Sequence, residues 1–239
     1  MKNMLKEFES GKKKAITFSY DDGTMQDIRL IELLDKYGLK ATFNLNSEFL
    51  GNEGSVTRDN RPIPHNKVKA EDVRYIYENH EIAGHTLKHR NLTLLEDAEV
   101  IRTVEQDRLN LSELAGYEVI GFAYPCGGVN NDDRVAELIR NNTGTKYCRT
   151  ITSSHSFDPQ ANLYRFNPTA DHHNEWDKTM ELAEQFLSLK TDEPKVFYIW
   201  GHAFEFDIFD DWKKFEGLCE MLSGHKDIFY GTNREVFGV

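Results

Sequence analysis

The chain has 239 residues, 39% hydrophobic and 12% aromatic, enough apolar material for one large core, which excludes a disordered or fibrous polypeptide. Its net charge of -11 argues against a nucleic-acid partner, whose phosphates it repels, and the only basic run, Lys12-Lys13-Lys14, reads as a solvated strand entrance. The polar stretch from Met1 to Ser10 has no signal-like apolar core and no run is long enough to span a bilayer, so the chain as written is expected in the cytoplasm with no membrane partner.

Three widely spaced cysteines, Cys126, Cys148 and Cys219, define neither a disulfide framework nor a zinc-finger spacing. The first strong pattern is Ile16-Thr17-Phe18-Ser19-Tyr20-Asp21-Asp22-Gly23, an alternating apolar run that predicts a strand and stops on two adjacent carboxylates before a turning glycine. Neighbouring acids repel, so this pair needs a cation, a shared proton or open water. Met25 to Tyr37 carries Ile28, Ile31, Leu33 and Leu34 at helical spacing and ends at Gly38, and Lys40 to Asn46 alternates as a second strand. Gly51 to Ala70 is polar and irregular, a surface excursion or a flap over a cleft.

Glu71 to Asn79 predicts a short helix, Glu81 to Gly84 a short strand delivering His85, and Thr93 to Leu114 a longer helix with an apolar stripe, closed by Gly116. Val119 to Tyr124 is a strand stopped at Pro125-Cys126-Gly127-Gly128, followed by a helix over Asp132 to Arg140 and a strand over Lys146 to Ile151. Ser153 to Glu175 is loop-like, with one strand around Asn167 to Asp171. Then come a helix over Trp176 to Leu189, a strand over Lys195 to Trp200, a helix over Trp212 to Leu222 and a last strand at Ile228 to Tyr230. About seven strand-helix alternations predict an α/β fold built on a parallel sheet, read as one domain over 1–239. Asp21, Asp22, His85, Cys126 and His202 all fall at the C-terminal ends of predicted strands, the end where α/β barrels carry their active sites.

His85 and His89 are four residues apart, so on a helical turn both imidazoles face one side and can share a metal. Two histidines and one carboxylate leave positions open on zinc, the composition of a hydrolytic rather than a structural site. Taken singly, each piece has a plainer explanation. Asp21-Asp22-Gly23 can serve as a helix cap and turn, and His172-His173 could bind metal or substrate, although a loop histidine pair more often does neither. Cys126 has no histidine partner set by spacing, and the aromatics from Trp200 to Trp212 are expected chiefly in the core.

Together, Phe18-Ser19-Tyr20-Asp21-Asp22-Gly23, His85-Thr86-Leu87-Lys88-His89 and Trp200-Gly201-His202 resemble three motifs of the polysaccharide deacetylase family, also called the NodB-homology or carbohydrate esterase family 4. The resemblance implies a distorted (β/α) barrel and a hydrolase that removes acetyl or related acyl groups from an N-acetylated carbohydrate. It implies that Asp22, His85 and His89 bind a divalent metal, zinc first, with Co2+, Ni2+ or Mn2+ as alternatives. By the same resemblance Asp21 is the general base, His202 the general acid, and Thr86 braces the loop. Backbone N–H groups around Tyr124, Pro125 and Cys126 would then hold the substrate's developing oxyanion.

The chain departs from the family pattern in its third motif, where Ala123-Tyr124-Pro125-Cys126 stands in place of Arg-x-Pro-aromatic. Without that arginine the pKa of Asp21 has no cation to hold it down. Arg149, at the end of the next predicted strand, is the expected replacement, with Arg165 second. The family's fourth motif is not recognisable, and Asp171 and Glu205 are the candidates to orient His202. Two other functions remain open: a metal-dependent amidase acting on a small non-sugar C–N bond, and a carbohydrate-binding relative that has lost turnover. Nothing in the sequence specifies an oligomeric state.

Overall fold

The computed structural model describes residues 7–58 and 60–239. The first six residues of the polar amino-terminal stretch therefore lie outside the described residues. Ten strands are present among them: β1 (Lys14–Asp21), β2 (Ala41–Leu45), β3 (Ser55–Arg58), β4 (Arg61–Pro64), β5 (Glu81–Gly84), β6 (Gly121–Ala123), β7 (Tyr147–Arg149), β8 (Ala170–Asp171), β9 (Lys195–His202) and β10 (Ile228–Tyr230). The helices are α1 (Gln26–Lys36), α2 (Val73–Ile76), α3 (Asp97–Ala115), α4 (Asp133–Asn142), α5 (Trp176–Ser188), α6 (Glu205–Phe209), α7 (Trp212–Leu222) and α8 (Asn233–Phe237).

The main sheet is parallel throughout and runs β7-β6-β5-β2-β1-β9-β8, with β10 alongside the first half of β1. It curls into a half-barrel. A single parallel bridge from Arg149 to Phe166 ties the β7 edge toward the segment that becomes β8. The fold is thus the distorted (β/α) barrel expected, and β1 at its centre is buried along its whole length, as a parallel strand covered on both faces must be.

The largest apolar cluster joins Phe18 and Tyr20 of β1 to Phe43, Leu34, Phe206, Phe215 and Leu218, with α1, α5 and α7 packed on that face. A second cluster, including Val100, Val104, Phe122 and Val135, fixes α3 and α4 against β6. Two glycines allow close approach at the strand ends. A Cβ on Gly23, which has φ +61°, would meet Leu45 Cδ2 at 2.6 Å, and one on Gly201 would run into the ring of His172.

Three expectations are corrected. Gly51 to Ala70 is not irregular: it holds an antiparallel hairpin, β3–β4, inserted between β2 and β5. Proline fills two of the four positions of β4, Pro62 and Pro64, which masked its strand character. His85 to His89 is a turn, not a helix, with Thr86 and His89 both at positive φ (66° and 50°). The short helices α6 and α8 were also absent from the sequence reading. Among the described residues, no helix is long and apolar enough to cross a membrane.

Candidate active site

Parallel register brings the chemistry to one rim. Asp21 lies level with Asn44 of β2 and His202 of β9, while Gly84 lies level with Phe122 and Ala123 with Arg149. Strand ends that are far apart in sequence therefore surround a single hollow.

Asp22, His85 and His89 offer ligand atoms that all lie within 4.8 Å of one another. His85 is buried, and its Nδ1 donates to the Ala123 carbonyl at 2.8 Å. That bond leaves Nε2 with its lone pair facing the cup, where it has no hydrogen-bond partner. Burial pushes the His85 pKa down to about 4, so the ring is neutral at ordinary pH, as a metal ligand must be. His89 Nε2 stands 3.6 Å from Asp22 Oδ1. An orphaned buried nitrogen beside a carboxylate and a second imidazole is a donor set that fits a divalent ion such as zinc.

The turn carrying the histidines is held from three sides. Asn46 Nδ2 donates to the carbonyls of His85 and Thr86 at 2.6 and 2.9 Å, and Thr86 Oγ1 accepts from Arg90 N at 3.1 Å. Asp107, on the buried face of α3, accepts from His85 N at 2.9 Å and from Ser47 N at 2.8 Å. These contacts keep Thr86 and His89 at backbone angles that L-residues rarely adopt. Asp22 is a third such residue, with φ +84°, held by its N–H on Asn44 O at 3.0 Å and by Lys67 Nζ on its carbonyl at 2.7 Å.

Asp21 is buried beside the cup. Arg149 Nη2 donates to Asp21 Oδ1 at 2.6 Å and also reaches Oδ2, and Asn44 Nδ2 donates to Oδ1 at 2.8 Å. Burial works to raise the Asp21 pKa, but the Arg149 guanidinium outweighs it and holds the carboxyl below its usual range. Arg149 is itself fully buried, lying 4.3 Å from the Trp200 ring and donating to Thr150 O at 3.1 Å. Arg165 is elsewhere, bonded to Asn131 and Asp133.

His202 Nδ1 meets Glu205 Oε2 at 3.0 Å, and the same oxygen accepts from His202 N at 3.2 Å. Burial disfavours the imidazolium, yet the Glu205 carboxylate more than compensates and raises the His202 pKa to about 9. Asp171 instead accepts from the N–H groups of His173 and Asn174 at 3.0 and 3.2 Å. His172 is buried, stacked on Phe206 at 4.9 Å, and neither it nor His173 belongs to the metal cluster.

The residues named around the third motif divide. Tyr124 turns its side chain into the core and donates to Tyr164 O at 2.8 Å, so its ring does not reach the cup. Pro125 is also buried. Cys126, at φ +70°, lies 3.8 Å from His89 Nδ1 through its sulfur, and the thiol donates to His89 O at 3.4 Å. Burial, with the charge of Asp22, pushes its pKa up, the opposite of an activated thiolate. Asn130 Nδ2 ties the turn together by donating to the carbonyls of Tyr124, Pro125 and Cys126 at 3.2, 3.1 and 2.8 Å.

The sequence profile of the polysaccharide deacetylase family matches residues 9–146, more than half of the chain. The chain belongs to the polysaccharide deacetylase family. No curated protein matches its sequence.

Among solved structures, the fold of this family member is similar to the Xyl-CE4 domain of a multidomain xylanase from the hindgut metagenome of Trinervitermes trinervoides, at 15% identity and a TM-score of 0.54, covering 95% of this chain and 90% of that one. It is similar to BA3943, a CE4 family pseudoenzyme from Bacillus anthracis, at 17% identity and 0.52, covering 95% and 66%. It is also similar to the Streptococcus pyogenes deacetylase PplD, at 17% identity and 0.50, covering 62% and 61%. The polysaccharide deacetylase chain thus spans less than two thirds of the last two, and at these identities the likeness is one of fold. The family match stops short of Arg149 and His202, whose placement rests on the three-dimensional structure alone.

Sequence reasoning did not find Asn44, Asp107, His65 or Lys67. The first two left a signal: an asparagine inside an apolar strand, and an acid on the buried stripe of α3. The last two left none.

Proposed function

We propose that this chain is a divalent-metal-dependent hydrolase that removes an acetyl or related acyl group from the nitrogen of an N-acylated carbohydrate, working as one catalytic unit over its whole length. The observation that carries the reading is a pair of charge-held proton carriers flanking one metal cup: Asp21 on Arg149 and His202 on Glu205, beside Asp22, His85 and His89.

A divalent ion held by Asp22, His85 and His89, zinc first, would supply Lewis-acid polarisation of the acyl oxygen and make the attacking water more acidic. Asp21, kept ionised by Arg149, accepts that water's proton, with Asn44 fixing the carboxylate plane. His202, kept protonated by Glu205, gives a proton to the departing nitrogen. Of the last three residues in the third motif, Tyr124 spends its N–H on Arg149 O at 3.0 Å and Pro125 has none, so Cys126 N–H is the donor for the developing oxyanion.

The cleft over the cup has a volume of about 380 Å³ and is walled by Phe49, Val56 and Phe204, a size suited to a small ligand.

The test is zinc calorimetry on the metal-free protein with Asp22→Asn and His89→Ala alongside, followed by acetate release from N-acetylated sugars and small acetamides. One equivalent bound by the wild type and lost in both variants, with acetate released, is the expected result. A folded wild type that binds no zinc would remove the mechanism. Zinc binding with no release from any acylated compound would leave a binding protein instead.

A further inference from the structure

The β3–β4 hairpin is an insertion between two strands of the main sheet, and it is not loose decoration. Its second strand is tied down where Gln26 Nε2 donates to Pro64 O at 2.8 Å and Arg61 Nη2 donates to Ile208 O at 3.1 Å, so it reaches from α1 across to α6. The chain leaving it passes directly beside the metal cup. There His65 Nε2 stands 3.3 Å from Asp22 Oδ2, and its ring packs edge-on against Phe204 at 4.6 Å.

A carboxylate can only accept, so the proton in this contact sits on His65 Nε2. The two oxygens of Asp22 are then distinguished. Oδ2 is taken by His65 just after the hairpin, while Oδ1 faces His89 Nε2 at 3.6 Å, with Lys67 Nζ 3.7 Å from the same oxygen.

Resting on the metal reading above, we propose that His65 is a positioning residue for the metal carboxylate: it holds Asp22 Oδ2 so that Oδ1 is presented to the ion together with His85 and His89. The hairpin thereby becomes part of the metal centre. A carboxylate free to rotate about its Cβ–Cγ bond loses that preference and must be ordered when the ion binds, and partners of this kind typically contribute about 10–100-fold to metal affinity.

The experiment measures zinc affinity of the full chain by competition with a chromophoric chelator, for wild type, His65→Phe and His65→Gln. Phenylalanine keeps the ring against Phe204 but has no donor. Glutamine places an amide nitrogen near the position of Nε2. The expected result is affinity about 10–100-fold weaker for the phenylalanine variant and largely restored for glutamine, with circular dichroism of the metal-free variants matching wild type. Equal zinc affinity in wild type and His65→Phe, or an equal loss in both variants, overturns the inference and leaves the metal cup standing. A wild type that binds no zinc overturns the metal reading and this inference with it.

Discussion

At the scale of single residues, the site is organised by two opposite ion pairs. Asp21 is a buried acid kept charged by Arg149, and His202 a half-buried base kept charged by Glu205. In the proposed mechanism the first must be deprotonated and the second protonated, so the pH–rate profile is expected to be bounded below by Asp21 and above by His202, at or below about 9 because a bound cation opposes the imidazolium. Arg149→Met leaves burial to raise the Asp21 pKa and should move the acid limb upward, with kcat/KM at neutral pH down by about 10²–10⁴-fold. Glu205→Gln removes the carboxylate that favours the imidazolium and should move the alkaline limb down by about 1–3 pH units. The two variants should narrow the profile from opposite sides. An unchanged acid limb in the first, or alkaline limb in the second, contradicts the assigned role.

Arg149 was legible in outline. A missing cation in the third motif sends the search to the next strand end, and the register Ala123 to Arg149 places it there. The pairing of His202 was half legible, since Glu205 and Asp171 were equal candidates until α6 began three residues after His202 and turned Glu205 back onto it.

At the scale of elements, the histidine turn depends on α3. Asp107 is the acceptor for two backbone donors, Ser47 N and His85 N. Asp107→Ala strips the acceptor from both, and a buried donor left unpaired costs about 1–3 kcal/mol. Urea unfolding should show a loss of that order or somewhat more, and zinc binding should weaken as His85 loses its anchor. Unchanged stability and affinity together would show that the anchor is dispensable.

The elements themselves were visible where the periodicity was long, as in α7, whose bounds match the predicted Trp212 to Leu222. They were invisible where the pattern was short or broken by proline, as in the hairpin, α6 and α8. His85 and His89 meet for a different reason than their spacing suggested. A four-residue interval brings two rings together on a helix, but here positive φ at Thr86 and His89 does it in a turn, with ring centroids 4.9 Å apart.

At the scale of the whole molecule, the buried titratable groups set how stability responds to pH. Burial raises the pKa of Asp27 to about 8 and those of Glu81 and Asp107 to about 7, and Glu205 lifts His202 against its own burial to about 9. Each is raised above its unfolded value. Its stabilising contribution is therefore fully present below the unfolded pKa and lost as pH rises through the folded one. Buried His80 and His85, lowered to about 4, act in the other sense, and their contribution is lost as pH falls from the ordinary histidine value toward 4. Above about pH 6.5 the histidine contribution is nearly complete and the first group dominates the change. The metal-free protein should therefore lose stability as pH rises from 6.5 to 8. Asp27→Asn mimics the protonated acid that accepts from Tyr77 at 2.7 Å. It should reduce that slope by up to about 1.4 kcal/mol per pH unit, one proton's worth. Urea unfolding at pH 6.5, 7 and 8 measures it, and an identical slope in the variant would contradict the assignment.

What the sequence determined by itself was local and repetitive: strand and helix periods, the Asp-Asp-Gly stop, the histidine spacing and, through these, the family and the parallel sheet. Such patterns survive in one dimension because each is written within a few neighbouring residues. The tertiary structure decided which side chains meet: Arg149 rather than Arg165 on Asp21, Glu205 rather than Asp171 on His202, and His65 beside the hairpin on Asp22. Contacts across 128 or 43 residues of chain carry no local signature, because the register of the curled sheet brings Asp21 and Arg149 to one rim and the inserted hairpin brings His65 to Asp22.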